Sequence, residues 1–277
     1  MTAHVIIPIH NRAHLIPNLI QSLSEQKTTR PLRFIFVDSE SNDSSVSQIL
    51  EASKVDHRFH VVAGKSDWWW ARAVQEGIEF ALLDAKKSDI VVLLNDDVTL
   101  VPGFFETGIR FLQNNPSTVW GSGVRVIGGV DEFKISTSTK DLKVYYADLV
   151  QVGGTKTFFQ SLISGRGAFY PVKVFSEGIR VRFEKIPHYL ADYDLSSQAK
   201  LAGYTLKGSK TLYVLSDSNF GSSPATDRSY FWRAFATESP DRLLSHLHFW
   251  SVETGQSIFR VAVRLIKSRL LRWGVKG

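Results

Sequence analysis

Short apolar runs punctuate the first part of the chain. Val5-Ile6-Ile7-Pro8-Ile9, Leu32-Arg33-Phe34-Ile35-Phe36-Val37, residues 59–63 and Ile90-Val91-Val92-Leu93-Leu94 are rich in β-branched or aromatic residues and bounded by polar ones. That is the pattern of strands covered on both faces of an α/β sheet. Between the runs the apolar period lengthens. Leu15, Leu19, Ile20 and Leu23 recur every three to four residues and predict an amphipathic helix over 13–25. Weaker patterns predict helices near 45–53 and 74–83. Pro8 sits at the end of its run, where a strand exits into a loop. Alternating strands and helices through about residue 100 indicate a parallel sheet of the nucleotide-binding type.

The polar residues that stop these runs carry the candidate chemistry. The fourth run ends in Asn95-Asp96-Asp97, the second in Asp38, and Asp67 lies beyond the third. In open α/β sheets ligands bind beyond the carboxyl ends of the strands. Adjacent carboxylates repel, and sharing a divalent cation with substrate phosphates relieves the repulsion. A solvated Asp-Asp turn or a helix cap is the plainer alternative. Neither G-x-x-x-x-G-K-[ST] nor G-x-G-x-x-G follows the first run, so a metal-bridged diphosphate fits better than a glycine-cradled one.

Composition narrows the field further. The 277 residues, 43% of them hydrophobic, suffice for one large domain, alone or with an appendage. There is no basic, apolar leader and no apolar run long enough to span a bilayer, so the expected location is cytoplasmic. With no cysteine, thiolate nucleophiles and cysteine-bound zinc are excluded, and the lack of H-E-x-x-H argues against a zinc hydrolase. The net charge of +6 suits an anionic partner without naming it.

Six separated segments, in order, resemble the family 2 glycosyltransferases. Pro8-Ile9-His10-Asn11-Arg12 resembles the opening P-x-[YFH]-N-R. Val37-Asp38-Ser39-Glu40-Ser41-Asn42-Asp43-Ser44-Ser45 resembles V-D-[DN]-x-S-x-D-x-S. The segment Asp67-Trp68-Trp69-Trp70-Ala71-Arg72-Ala73-Val74-Gln75-Glu76-Gly77-Ile78 is similar to the tryptophan-rich variant of the rhamnosyltransferase-like branch. Leu94-Asn95-Asp96-Asp97-Val98 takes the place of the D-x-D metal motif. Ser164-Gly165-Arg166-Gly167-Ala168-Phe169-Tyr170-Pro171 resembles the acceptor-side glycine segment, and Ala191-Asp192-Tyr193-Asp194-Leu195 with Ala202-Gly203-Tyr204 is similar to E-D-x-D-L-x-x-R-x-x-x-x-G-Y.

The resemblance implies a GT-A fold: a Rossmann-like, mostly parallel central sheet flanked by helices, over 1–220. A nucleotide-sugar half would span about 1–100 and an acceptor half 101–220. It implies inverting transfer from a nucleoside diphosphate sugar, assisted by Mg²⁺ or Mn²⁺. Asp97 would ligate the metal and Asp96 contact the donor. Pro8, Ile9, His10, Asn11, Arg12, Asp38, Ser39, Asp67, Trp69 and Trp70 would line the donor site. Asp192 would be the base, with Arg166, Gly167, His188 and Asp194 on the acceptor side and Asp217 a candidate oxygen ligand. Several of these residues have other readings. Asp38 could cap the helix near 45–53, Asp192 could be a helix cap, Asp194 could cap a helix starting at Leu195, and Asp217 could be a surface turn. Of three consecutive tryptophans, some must pack and some splay, and all three could be structural. Arg72 could pair with a phosphate or with Asp67. Glycines flanking Arg166 let the backbone approach a ligand, although an ordinary turn fits too. Departures from the family pattern are Ser39, Gln75, Ala191 and Gln198.

The tail, 221–277, lies beyond the resemblance. From Thr254 onward it has no acidic residue, and Arg260, Arg264 and Lys267 share one helical face opposite large aliphatics. Such a helix suits an anionic membrane surface, giving a peripheral protein that acts on a saccharide or lipid-linked saccharide. A helix docked on the catalytic domain, or on a second copy in a homo-oligomer, fits as well. A non-catalytic nucleotide- or saccharide-binding protein and a nucleotidyltransferase are the rival readings. No zinc-finger or RNA-binding pattern supports a nucleic-acid partner.

Overall fold

The computed structural model describes residues 1–126, 147–152, 155–159, 162–216, 235 and 242–274. The first half builds a parallel sheet from β1 (Ala3–Ile9), β2 (Leu32–Asp38), β3 (Phe59–Ala63) and β4 (Ile90–Leu93), connected through α1 (Ile16–Ser24), α2 (Ser45–Val55) and α3 (Trp70–Leu82). Their order is β3-β2-β1-β4. Beyond β4 come β5 (Val98–Leu100), α4 (Phe104–Asn114), β6 (Thr118–Val126), β7 (Ala147–Val152), β8 (Thr155–Phe159), β9 (Ala168–Pro171), α5 (Val172–Ser176), α6 (Ala191–Leu201) and β10 (Thr205–Ser216). Strand β9 inserts antiparallel between β4 and β6, while β6 pairs parallel with β10. The sheet is therefore parallel on its first side and mixed on its second.

Alternating side chains of β1 feed two cores. Ile6 joins Ile35, Val37, Val91 and Leu93 beneath Ala73, Val74 and Ile78 of α3. Val5 and Ile7 join Phe34, Phe36 and Val92 against α1 and the Phe104, Phe105 and Ile109 face of α4. Every residue of β1 is buried, which is why its sequence reads as a continuous apolar run rather than an alternation. Each large side chain so buried contributes roughly 1.5–3 kcal/mol.

Three helix starts differ from expectation. Helix α1 begins at Ile16 rather than 13, because the Arg12 carbonyl closes a turn with the N–H groups of Leu15 and Ile16. Pro17 then fits the first helical turn, where no N–H is needed. Helix α3 begins at Trp70, before the apolar spacing becomes visible, and buries Ala71 and Ala73. Helix α6 begins at Ala191, so Asp194 lies inside its first turn rather than capping a helix at Leu195.

Two further helices follow, α7 (Leu243–Thr254) and α8 (Ile258–Gly274). Helix α7 docks on the sheet domain: Phe249 is buried in the core beneath α6, and Glu253 pairs with Lys200 at 2.5 Å. Helix α8 packs on α7. No helix among the described residues is long and apolar enough to cross a membrane.

Candidate active site

The ends of β1, β2 and β4 and the start of α6 converge on one rim. The loops after β1 and β2 are cross-braced by side chains. Ser41 Oγ accepts the Asn11 N–H at 2.9 Å, Asn11 Oδ1 accepts the Asn42 N–H at 2.9 Å, and Asp43 accepts the Ala13 N–H at 3.0 Å. His10 Nδ1 donates to the Ser39 carbonyl at 2.8 Å. Asp38 accepts the Ser41 N–H and turns that loop; it does not cap α2, whose N-cap is Ser44. Asn11 and Glu40 both adopt positive φ, at 55° and 57°. Such strain in ordinary residues persists where surrounding bonds over-determine it, and it concentrates at functional rims.

Each member of the acidic pair meets an arginine. Arg12 Nε donates to Asp96 Oδ2 at 3.0 Å. Burial pushes the Asp96 carboxyl up to about 6, with Asp97 adding to the rise and Arg12 opposing it. Arg166 forks onto Asp97, Nη2 to Oδ2 at 2.8 Å and Nε to Oδ1 at 3.4 Å. Asn95 accepts the indole N–H of Trp70 at 3.0 Å and so fixes that ring at the end of β4.

Gly165 joins this cluster to α6. Its N–H donates to Asp192 Oδ2 at 2.8 Å. A Cβ at Gly165 would stand 2.6 Å from the Trp70 ring and 3.4 Å from Asp192 Cβ, so only glycine lets the ring and the carboxylate close on the same backbone. Gly167 is constrained twice, by φ of +85° and by Ser122 Oγ, which a Cβ would meet at 2.4 Å. Ser122 Oγ also donates to the Arg166 carbonyl at 2.8 Å. Asp192 occupies the first turn of α6, whose N-cap is Leu190, so it is not the cap. Its other oxygen takes the Tyr193 N–H at 2.9 Å. Burial raises its proton affinity above the carboxylate norm, against these amide bonds and the Arg166 cation. It is a basic carboxylate held by amides rather than by a salt bridge.

The remaining predicted residues divide. Pro8 and Ile9 are buried in β1, where their backbone sets the His10–Arg12 loop. Ser39 is buried, and Asp67 is exposed at the rim. Trp68 packs on the core, Trp70 enters the site and Trp69 stays 38% exposed, so the triplet splays. Trp69 lies against His188, with ring centroids 5.9 Å apart. Arg72 meets neither Asp67 nor the rim: it pairs with Glu76 and stacks on Phe183 at 4.1 Å. Gln75 braces α3 against the Val181 N–H at 2.8 Å. Asp194 is 1% exposed and engages Arg182 in a two-point ion pair, with Gln198 donating at 2.9 Å. Asp217 lies outside the described residues; Ser216 before it pairs with Val98, the residue after Asp97. The bonds to Asn95 and Gly165 went unforeseen in the sequence, where Gly165 read as a point of close ligand approach and Asn95 only as a neutral neighbour of the two acids.

The oxygen donors fit a divalent cation of limited demands. No group of three or more potential ligands occurs among the described residues. Mg²⁺ and Mn²⁺ sites of this type use one or two carboxylates and complete their shell with substrate phosphates and water. Asp97, part-exposed beside the rim, meets that requirement.

A sheet of this order, with acids at the ends of its parallel strands, defines a nucleotide-sugar-type transferase scaffold of the GT-A class. The chain belongs to Glycosyl transferase family 2, whose pattern it matches over residues 4–178. No curated protein matches it significantly. Among solved structures the fold is similar to TarS of S. aureus, with a TM-score of 0.56 and 16% identity over 78% of this chain and 37% of that one. A mannosyltransferase of Pyrobaculum calidifontis, PcManGT, solved with GDP-Man and Mn²⁺, gives 0.54 and 13% identity over 98% and 75%. GalNAc-T7, solved with UDP, GalNAc and Mn²⁺, gives 0.61 and 12% over 78% and 44%. Identities at this level show the fold alone, and the chain spans little more than a third of TarS.

Proposed function

We propose that the protein is an inverting, metal-assisted glycosyltransferase moving a sugar from a nucleoside diphosphate to a saccharide hydroxyl. The observation that carries this reading is the Gly165 junction, which sets a basic, amide-held Asp192 beside Trp70 and one residue from the Arg166–Asp97 pair. Asp192 takes the proton of the acceptor hydroxyl as its oxygen bonds to the anomeric carbon from the face opposite the leaving group. The anomeric carbon–oxygen bond breaks and the nucleoside diphosphate departs. Asp97 would hold Mg²⁺ or Mn²⁺, which when bound neutralises charge on the diphosphate. Asp96 and Arg12 position the donor, and the braced loops after β1 and β2 form the nucleoside rim.

Arg182 favours a working enzyme over a decayed binding module. The family pattern places an arginine where Gln198 stands, yet Asp194 still receives a guanidinium, from Arg182 of another loop. The tryptophan-rich segment makes dTDP-rhamnose a first donor to try, with UDP-sugars beside it. The test is release of nucleoside diphosphate by purified protein from UDP-, GDP- and dTDP-sugars with Mg²⁺ or Mn²⁺. Turnover of one donor, abolished by EDTA and by Asp97→Asn, is the expected result. Failure to bind or turn over any donor, with or without detergent-solubilised lipid acceptors, would leave the binding-module reading.

Within this reading the sheet domain comprises residues 1–220 and the basic helical extension 221–277, which works at the cytoplasmic face of a membrane on a lipid-linked acceptor. What supports the second point is α8: Phe259 is 78% exposed, Ile258, Val263 and Ile266 are exposed beside Arg260 and Arg264, and Val261 turns inward. Flotation with phosphatidylglycerol vesicles but not with phosphatidylcholine, lost in Phe259→Glu with Ile266→Glu and weakened by salt, is expected. Equal flotation of that variant would sink the membrane role.

A further inference from the structure

The residues on either side of the Trp70–Asp192 junction carry a feature that transfer chemistry alone does not require. Trp69 precedes Trp70 and His188 and Tyr189 precede α6, and the three rings run in a row. Trp69 and His188 centroids are 5.9 Å apart with their planes tilted by 31°, and His188 and Tyr189 centroids 4.5 Å apart with a tilt of 47°, so the rings lean on one another in steps. The two segments are tied together by the Ala71 N–H donating to the Pro187 carbonyl at 3.0 Å. The outer rings stay open to solvent, Trp69 at 38% and Tyr189 at 46%.

The backbone is bent to keep them there. Leu190 has φ of 73°, a left-handed conformation that bulky side chains disfavour. The bend buries the Leu190 side chain, starts α6 at the next residue and leaves Tyr189 outside. The same bend that packs Leu190 into the core holds the Tyr189 ring outside it. An exposed, braced row of tilted rings, close in sequence to Asp192, suits a puckered ligand with one apolar face and hydroxyls at its edge, since aromatic rings offer apolar contact over their faces while Tyr and His supply polar tips.

We infer that Trp69, His188 and Tyr189 form a platform for the apolar face of an acceptor pyranose, holding its hydroxyl toward Asp192. The assignment of the occupant as acceptor rests on the transferase reading above. It moves Trp69 from the donor to the acceptor side and adds Tyr189, which no family motif marks. The nucleoside rim uses different elements, the loops after β1 and β2, so the two binding functions separate by mutation.

The experiment uses the full chain labelled with fluorotryptophan, with the Trp69 fluorine resonance assigned from Trp69→Phe. Methyl glycosides of rhamnose, glucose, galactose and N-acetylglucosamine are titrated, with sorbitol as an acyclic polyol control. The expected result is a saturable shift of the Trp69 resonance by at least one pyranoside, with affinity on the order of millimolar, and none by sorbitol. Tyr189→Ala weakens that binding about tenfold, and Tyr189→Phe retains it. No response to any pyranoside, or an equal response to sorbitol, would overturn the platform. In the same samples UDP and dTDP are titrated with Mn²⁺. A drop in nucleotide affinity in Tyr189→Ala would assign the ring to a nucleobase and also overturn it. Failure of the unsubstituted protein to bind either nucleotide counts against the transferase reading instead, leaving any pyranoside response to stand as saccharide binding.

Discussion

Asp97 and Asp192 are both carboxylates at the rim of one cleft, yet the chain holds them by opposite means. Asp97 is gripped by the Arg166 fork, and its neighbour Asp96 by Arg12. Among the described residues Asp192 receives backbone amides, from Gly165 and Tyr193, and is desolvated in place. A guanidinium neutralises a carboxylate and opposes its taking a proton, although at Asp96 burial outweighs Arg12 and still carries the carboxyl to about 6. Amide donors orient a carboxylate without supplying a full positive charge, so burial can still raise its affinity for a proton. On the proposed reading, the contrast gives electrostatic work to the end of β4 and proton transfer to the start of α6.

The largest effect expected from breaking this contrast is at Asp192. Asp192→Asn keeps the shape and removes the base, and transfer should fall by about a hundredfold to ten-thousandfold. Nucleotide affinity, measured by calorimetry with Mn²⁺, should hold in that variant. Asp97→Asn should do the reverse in kind, weakening metal-dependent nucleotide binding as well as turnover. Equal loss of nucleotide affinity in both variants would dissolve the distinction. Gly165→Ala lies between them: its methyl must displace either Asp192 or the Trp70 ring, which packs on the core, so turnover should drop and Tm should fall with it.

A third carboxylate sharpens the point. Asp194 lies two residues from Asp192 but is buried against Arg182 and Gln198. Asp194→Asn would strand the Arg182 charge, at a cost of about 2–4 kcal/mol in a largely buried pair. Thermal unfolding should reveal the loss, and kcat of the folded fraction should change far less than in Asp192→Asn. A large kcat effect with unchanged Tm would return Asp194 to the acceptor site.

Most of the donor half was legible because its strands are buried on both faces and its acids stand where those strands stop. The continuous apolar runs of β1, β2 and β4 and the three-to-four-residue period of α1 are local, and they locate His10, Arg12, Asp38 and the Asp96–Asp97 pair without tertiary knowledge. The acceptor half was legible mainly as resemblance. Strand β9 is only four residues long and pairs with β4 and β6, distant in the chain, and no local pattern announces that. The start of α6 was misplaced because its N-cap is a leucine in left-handed conformation, a residue carrying no capping signal. Arg182 shows the same limit, since its meeting Asp194 is decided by packing between segments, whereas Arg72 takes Glu76 four residues on in its own helix, a local pairing that the spacing offered.

The smallest expected effect is a displacement of pH dependence. As the proposed base Asp192 would work deprotonated, so transfer should rise with pH as its proton is lost and level off above its folded-state pKa. Burial, the leading cause of its shift, moves that limb above the ordinary aspartate value of about 4. The groups facing it pull both ways: the Gly165 and Tyr193 amides and the Arg166 cation lower the limb, while the apolar surroundings raise it. Replacing Arg166 by alanine removes one lowering influence and should carry the limb to still higher pH, whatever it does to the absolute rate. Asp192→Asn should abolish the limb altogether. A limb that stays in the ordinary carboxylate range, or that moves down in Arg166→Ala, would mean that the titrating group is not the amide-held carboxylate, and the contrast between the two ends of the cleft would lose its chemical meaning.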